Sequence, residues 1–447
     1  MRAGIERKTE IPGPRSREIL ARHARVVPRA MSVLHPVVIE SAQGALVRDV
    51  DGNVFLDLTG GVGVLNVGHA RPEVVEAVHR QAGRFLHTDY TVVPYELYVT
   101  AAERLGGMVP VEGPVKVAFF NSGAEAVENA VKIAKRATGR HELIAFEGAF
   151  HGRTLGALAL TSKPRPYRHG MGPFPAGVHR LPYAYCYRCP LGLEYPDCGV
   201  ACAEALERGF HTRYSEDEVA AVVIEPVQGE GGFVVPPAEF LQRVEEIARE
   251  HGVLLIVDEV QTGFGRTGAL FASERLGIRP DLITMAKSIA GGLPLSGVAG
   301  RAELMDAPED GELGGTYVGN PLALAAALEI LRLMEEERLP QRAEAIGARL
   351  AEGLRLLQER HRLIGDVRRL GAMVGVELVR DRSTKEPADR ETRAVVAAMR
   401  QRGVLALTAG IYGNVLRFLN PLVIEDEQLE AALEVLDEAL GEVEAGS

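Results

Sequence analysis

Between residues 115 and 287 short, continuous apolar runs alternate with amphipathic stretches, and this alternation constrains the fold more than any other feature of the chain. VKVAFF (115–120) precedes a helical pattern from Ala124 to Ala137. ELIAFEG (142–148), VAAVVIEP (219–226), VLLIVDEV (253–260) and DLITMAK (281–287) follow, with another helical stretch near 238–250. Strands that are apolar on both faces and rich in β-branched residues belong in a parallel sheet covered by helices on each side. The expected architecture is α/β, with a large, doubly wound, mostly parallel sheet.

The flanks read differently. The N-terminal arm, rich in Pro and Arg, leads into a hairpin, ALVRDVDGNVFLD, whose Asp51-Gly52 pair marks a tight turn. After Asn320-Pro321 the pattern becomes strongly helical, then gives strands near GAMVGVEL and NVLRFL and a last helix over about 426–440. The chain therefore divides into an arm and hairpin at 1–65 that belong to a small domain, a large domain at 66–324 and a smaller α+β C-terminal domain at 325–447. No apolar run approaches the ~18 residues of a membrane helix. The start lacks the hydrophobic core of a signal peptide. With 50 basic against 61 acidic residues and no basic run, nucleic acid is not the expected partner. These features predict a cytoplasmic protein that handles a small molecule.

Three segments carry chemistry. Asn121-Ser122-Gly123-Ala124-Glu125 follows a strand and opens a helix; Ser122 and Glu125 have capping-box spacing, and Gly123 admits close backbone approach. Such a terminus is either a plain N-cap or an anion site built from free N–H groups. Asp258 and Glu259 end an apolar strand, where ligands of open α/β sheets bind. An acid there is either half of a structural ion pair or the partner that keeps a ring nitrogen protonated. Lys287 also ends an apolar strand, before a Gly-rich turn. The chain has only seven lysines, and the other six stand at the N-terminus, before a strand, on a polar helix flank or in loops. An amine in apolar surroundings loses its proton readily and can form a Schiff base.

Ser122-Gly123-Ala124, FHGRT (150–154), IEPVQGEGG (224–232), LLIVDEVQTGFGRTG (254–268), MAKSIAGGLP (285–294) and GGTYVGNP (314–321) follow one another in the order seen in class III aminotransferases. The chain resembles that family over about residues 35–435. The resemblance implies fold type I and pyridoxal 5'-phosphate as cofactor. It makes Lys287 the covalent anchor and proton carrier, and Asp258 the partner of the ring nitrogen. Phe150 and Val260 would cover the two ring faces, Gln261 would reach the ring oxygen, and Glu225 would join the cofactor site. Ser122, Gly123 and Ala124 would hold the phosphate with Thr316 of a neighbouring subunit, which implies a homodimer with shared active sites, or a tetramer.

On the substrate side the resemblance implies two carboxylate-binding arginines, Arg153 and Arg417. Glu230 resembles a switch that pairs with Arg417 while an ω-amino substrate is bound and releases it for glutamate or 2-oxoglutarate. Val62 matches a position that is small and aliphatic in 4-aminobutyrate transaminases. The implied reaction moves an amino group from a 4-aminobutyrate-like donor to a 2-oxo acid acceptor, 2-oxoglutarate, leaving a semialdehyde and glutamate. Ornithine and acetylornithine transamination remain alternatives, as does an amino-acid racemase.

One segment departs from the family pattern. Cys186, Cys189, Cys198 and Cys202, the only cysteines in the chain, form C-x2-C-x8-C-x3-C in an apparent insertion before the strand at 219. Four thiolates so spaced suit structural zinc or an iron–sulfur cluster, disulfides, or free thiols.

Overall fold

A computed structural model describes residues 3–446. The chain forms two compact units. The larger spans residues 73–341, and the smaller combines the described residues up to Pro72 with those from Arg342 onward.

The larger unit is built on a seven-stranded sheet. Its strands lie in the order Val115–Phe120, Ser296–Arg301, Leu282–Met285, Leu254–Asp258, Val219–Ile224, Glu142–Phe146 and Val178–Leu181. Only Ser296–Arg301 runs against the others. The expected α/β sheet, mostly parallel, is thus present, and six strands end at one edge. Helix Gly123–Thr138 shows how the pattern becomes packing. Ala126, Val127, Ala130, Ile133 and Ala134 form one buried stripe, in one core with Phe120, Leu143, Ala221 and Ile256 of the sheet. Each fully buried Val or Ile in that core contributes about 1.5–3 kcal/mol. Gly139, at φ +69°, ends the helix and returns its N–H to the Lys135 carbonyl.

The smaller unit contains two four-stranded sheets. One orders Ile39–Gln43, Leu46–Asp49, Val54–Asp57 and Val404–Leu405; the other orders Ile364–Leu370, Met373–Leu378, Val415–Phe418 and Leu407–Ala409. The hairpin expected around Asp51-Gly52 is present as the antiparallel pair Leu46–Asp49 and Val54–Asp57. The arm before it holds a helix that was not expected, Pro14–Val26, opened by the proline at its first position. The final helix runs from Asp426 to Ala445.

The unit borders fall at Pro72 and Gln341, later than the 65 and 324 read from sequence. Helix Pro321–Glu336 accounts for the second shift. It buries Leu324, Ile330 and Leu331 and packs on helix Glu96–Gly106 of the larger unit. Among the described residues no helix is long and apolar enough to cross a membrane.

Candidate active site

The carboxyl edge of the large sheet collects most of the residues singled out in the sequence. Asp258 ends its strand directly opposite Thr284 of the neighbouring parallel strand, and Lys287 lies just past that neighbour's end. Glu225 follows strand Val219–Ile224, and Phe150 stands in the loop after Glu142–Phe146. Ser122 is the N-cap of helix Gly123–Thr138, after strand Val115–Phe120. Parallel strands bring these separate positions to one edge because their ends share a direction.

Asp258 is 5% exposed. Its Oδ1 accepts from the Val260 N–H and the Thr284 hydroxyl, each at 3.1 Å, and its Oδ2 meets His151 Nδ1 at 2.8 Å. The His151 side chain is completely buried. Burial works to lower its pKa, but the hydrogen bond and charge of Asp258, with the charge of Glu225, carry it above the ordinary histidine value. Asp258 thus favours the protonated form of the buried imidazole. Glu259 has a different task. Its buried carboxylate accepts from the Thr262 hydroxyl, the Ala272 N–H at 3.0 Å, and the Ser273 N–H and hydroxyl, both at 2.7 Å. That set ties down the start of helix Ala272–Leu276.

Glu225 is buried, and its carboxyl accepts from the Phe150 N–H at 3.1 Å and the Gly229 N–H at 3.2 Å. It thus joins the loop carrying Phe150 and Arg153 to the turn carrying Glu230. Burial raises its pKa to about 7, helped by the charge of Asp258 and opposed by His151 and the two amides. A carboxyl with a raised folded-state pKa binds more protons folded than unfolded, so its contribution to stability falls as pH rises from about 4.5 to about 7. Glu225→Gln is expected to flatten thermal stability across that window, measured by melting temperature against pH. An unchanged slope would contradict the assignment.

The capping box is half formed. Ser122 Oγ accepts from the Glu125 N–H at 3.3 Å, but the Glu125 carboxylate takes the Asn121 N–H at 2.6 Å and the Asn121 side-chain amide at 3.0 Å. The first amides of the helix, on Gly123 and Ala124, have no intrahelical acceptor. A Cβ on Gly123 would lie 3.0 Å from Val260 Cγ1 and 3.6 Å from Ala286 Cβ, which places this turn against the residues after Asp258 and before Lys287. Gly152, at φ +125°, is required for a related reason: a Cβ there would lie 2.7 Å from the Ala124 Cβ. Lys287 is half-buried and takes φ +50°, an uncommon conformation for a residue with a Cβ and one found at functional sites. Gln261 Oε1 is buried and has no hydrogen-bond partner among the described residues.

These features fit pyridoxal phosphate. A helix N-terminus with open amides suits its phosphate, a buried carboxylate suits its protonated ring nitrogen, the Gln261 oxygen is an acceptor without a donor, and a lysine stands at the adjacent strand end. Phe150 and Val260 are both half-buried at this edge.

Of the residues expected on the substrate side, Arg153 and Glu230 lie in the larger unit and Val62 and Arg417 in the smaller. Arg153 is exposed with its guanidinium 5.0 Å from the centroid of the Tyr167 ring. The Tyr167 hydroxyl donates to Glu230 Oε2 at 3.1 Å, and its ring lies 4.9 Å from that of Phe150. In the smaller unit Arg417 is buried in the central part of strand Val415–Phe418. Val62 is 37% exposed and takes φ +68°, strain that is unusual for a β-branched side chain. Thr316 is exposed in the turn before helix Pro321–Glu336.

His151 and Tyr167 were not selected from the sequence. His151 had a signal, since it adjoins Phe150 within FHGRT; Tyr167 had none, being flanked by Pro166 and Arg168 in a loop without periodicity. The cysteines form no disulfides; Cys186 is exposed and Cys202 buried, where burial pushes its thiol up to about 11. Among the described residues no group of three or more His, Cys, Asp or Glu is arranged to hold a metal ion.

Comparison with known proteins places the chain in a family. The family model described as aminotransferase class-III matches residues 26–440. The chain is 48% identical over 425 residues to a 5-aminovalerate aminotransferase of Pseudomonas aeruginosa, covering 95% of this chain and 98% of that protein. It is 46% identical to the 4-aminobutyrate aminotransferase of Escherichia coli, over 96% of this chain and 99% of that one. Among solved structures, a Bacillus anthracis aminotransferase superposes with a TM-score of 0.89 at 32% identity, covering 96% and 99% of the two chains. An amine transaminase from an uncultivated Pseudomonas species, solved with pyridoxal phosphate bound, gives 0.85 at 32% identity over 93% and 96%.

Proposed function

The chain belongs to the class-III aminotransferase family, and from that premise we propose that it transfers the terminal amino group of a 4-aminobutyrate-like ω-amino acid to 2-oxoglutarate. The observation that carries the substrate side is the contact of Tyr167 with both Arg153 and Glu230. It brings a carboxylate-gripping cation and a removable negative charge to the same place.

Pyridoxal phosphate, when bound, supplies an electron sink for negative charge at the substrate carbon. The chain's residues do the rest. The amides of Gly123 and Ala124, with Ser122, hold the phosphate. Asp258, fixed by His151, Val260 and Thr284, keeps the ring nitrogen protonated. Lys287 anchors the cofactor through Nζ and, once displaced, takes a proton from the amino-bearing carbon of the substrate. Phe150 and Val260 would exclude water from the ring, and the Gln261 side-chain amide would donate a hydrogen bond to the ring oxygen.

Arg153 and Arg417 are the guanidinium forks for substrate carboxylates. Glu230 neutralises one guanidinium while a donor without an α-carboxylate is bound and gives it up when glutamate enters. The reading includes a homodimer in which Thr316 serves the neighbouring subunit's phosphate. Leu86, Val92, Val93 and Tyr317 support it as exposed apolar side chains of the larger unit.

A donor panel tests the reading. With 2-oxoglutarate as acceptor, 4-aminobutyrate and 5-aminovalerate are expected to give the highest kcat/KM, above ornithine and acetylornithine. If no ω-amino acid yields glutamate while a pure α-amino acid enantiomer loses its optical rotation, the racemase alternative replaces it.

A further inference from the structure

We propose that Tyr167 is a positioning residue that sets the balance between the two substrate classes, by holding the Glu230 carboxylate in the state that accepts a dicarboxylate; this rests on the transaminase reading above. Tyr167 lies half-buried in the Pro164–Arg168 turn. Its side chain touches residues from two other loops. The ring meets Phe150 at 4.9 Å with a 59° tilt and carries the Arg153 guanidinium 5.0 Å from its centroid, while the hydroxyl reaches Glu230 Oε2 at 3.1 Å.

A half-buried carboxylate needs donors in place of lost water. While an ω-amino donor is bound, the reading gives Glu230 a guanidinium as its main partner. When an α-carboxylate takes that guanidinium, Glu230 must remain charged without it. A neutral hydroxyl that stays in contact stabilises the released carboxylate, and hydrogen bonds to a charged acceptor are worth more than neutral ones. The hydroxyl therefore matters most when a dicarboxylate is bound. The ring has a separate task, spacing Arg153 from Phe150.

Tyr167→Phe removes the hydroxyl and keeps the ring. In the pyridoxal-phosphate holoenzyme, titration calorimetry with the unreactive ligands glutarate and butyrate reads the effect without turnover. Y167F is expected to weaken glutarate about tenfold, equal to about 1.4 kcal/mol, and butyrate by less than about twofold. Separate half-reactions should show the same split, with the loss in KM for 2-oxoglutarate rather than in kcat. In a Glu230→Gln background the same change should add nothing for glutarate, because the pair acts as one unit. Equal weakening of both ligands, or glutarate binding that does not change, overturns the proposal. If the unsubstituted holoenzyme shows no preference for glutarate over butyrate, the substrate reading itself fails and the role of Tyr167 fails with it.

Discussion

Lys287→Ala is expected to lower kcat by on the order of 10⁴-fold, the upper range for removing a positioned proton-transfer group, while leaving the fold and bound cofactor in place. Lys287 stands past the end of strand Leu282–Met285, beside the strand that ends in Asp258. Alanine keeps the Cβ, so the φ of +50° costs about what it costs lysine. The measurement is the absorbance change of bound cofactor on mixing with 4-aminobutyrate, alongside a thermal melt. Turnover within about tenfold of the unsubstituted enzyme would remove the assigned role. A collapsed melt would instead make Lys287 structural.

Asp258→Ala is expected to cost about 3–5 kcal/mol in stability, because it breaks a buried hydrogen-bonded pair and leaves the His151 imidazole without its partner. Turnover should fall by on the order of 10²–10³-fold, the effect of deleting one preorganised electrostatic partner. Asp258→Asn separates charge from shape through the pH dependence. With Asp258 present the folded-state pKa of His151 is raised, so its stabilising contribution is complete below the unfolded value of about 6.5 and is lost as pH rises through the folded value. With asparagine, burial dominates and lowers that pKa. Stability from this residue then falls as pH drops below about 6.5. Denaturant midpoints at pH 6 and pH 8 read the reversal relative to the parent, and parallel pH profiles would rule out His151 as the charged partner.

Much of this is legible in the sequence. The apolar runs became the strands Val115–Phe120, Glu142–Phe146, Val219–Ile224, Leu254–Asp258 and Leu282–Met285, because a segment apolar on both faces has few places to go except the middle of a covered sheet. Lys287 and Asp258 were legible as strand-end polar groups, and Ser122 as an N-cap. Glu225 was legible through the motif alone. Its bond to the Phe150 amide depends on two loops meeting, and no local pattern announces that.

The errors have the same origin. Ser122 and Glu125 have the spacing of a reciprocal box, but Asn121 offered Glu125 two donors and took its carboxylate. Helix Pro321–Glu336 looked like the start of the terminal domain because it follows a change of pattern. Its packing on Glu96–Gly106 decides otherwise.

The sequence by itself determined five strands of the large sheet, the helix after Ser122 and the residue types at their ends, since hydrophobic period, capping and strand termination act over a few residues. Tertiary structure decided which side chains meet. Asp258 and His151 are 107 residues apart, and Tyr167 and Glu230 are 63 apart. Such contacts depend on strand order and on loop packing, which are settled by burial of the whole sheet rather than by any local segment.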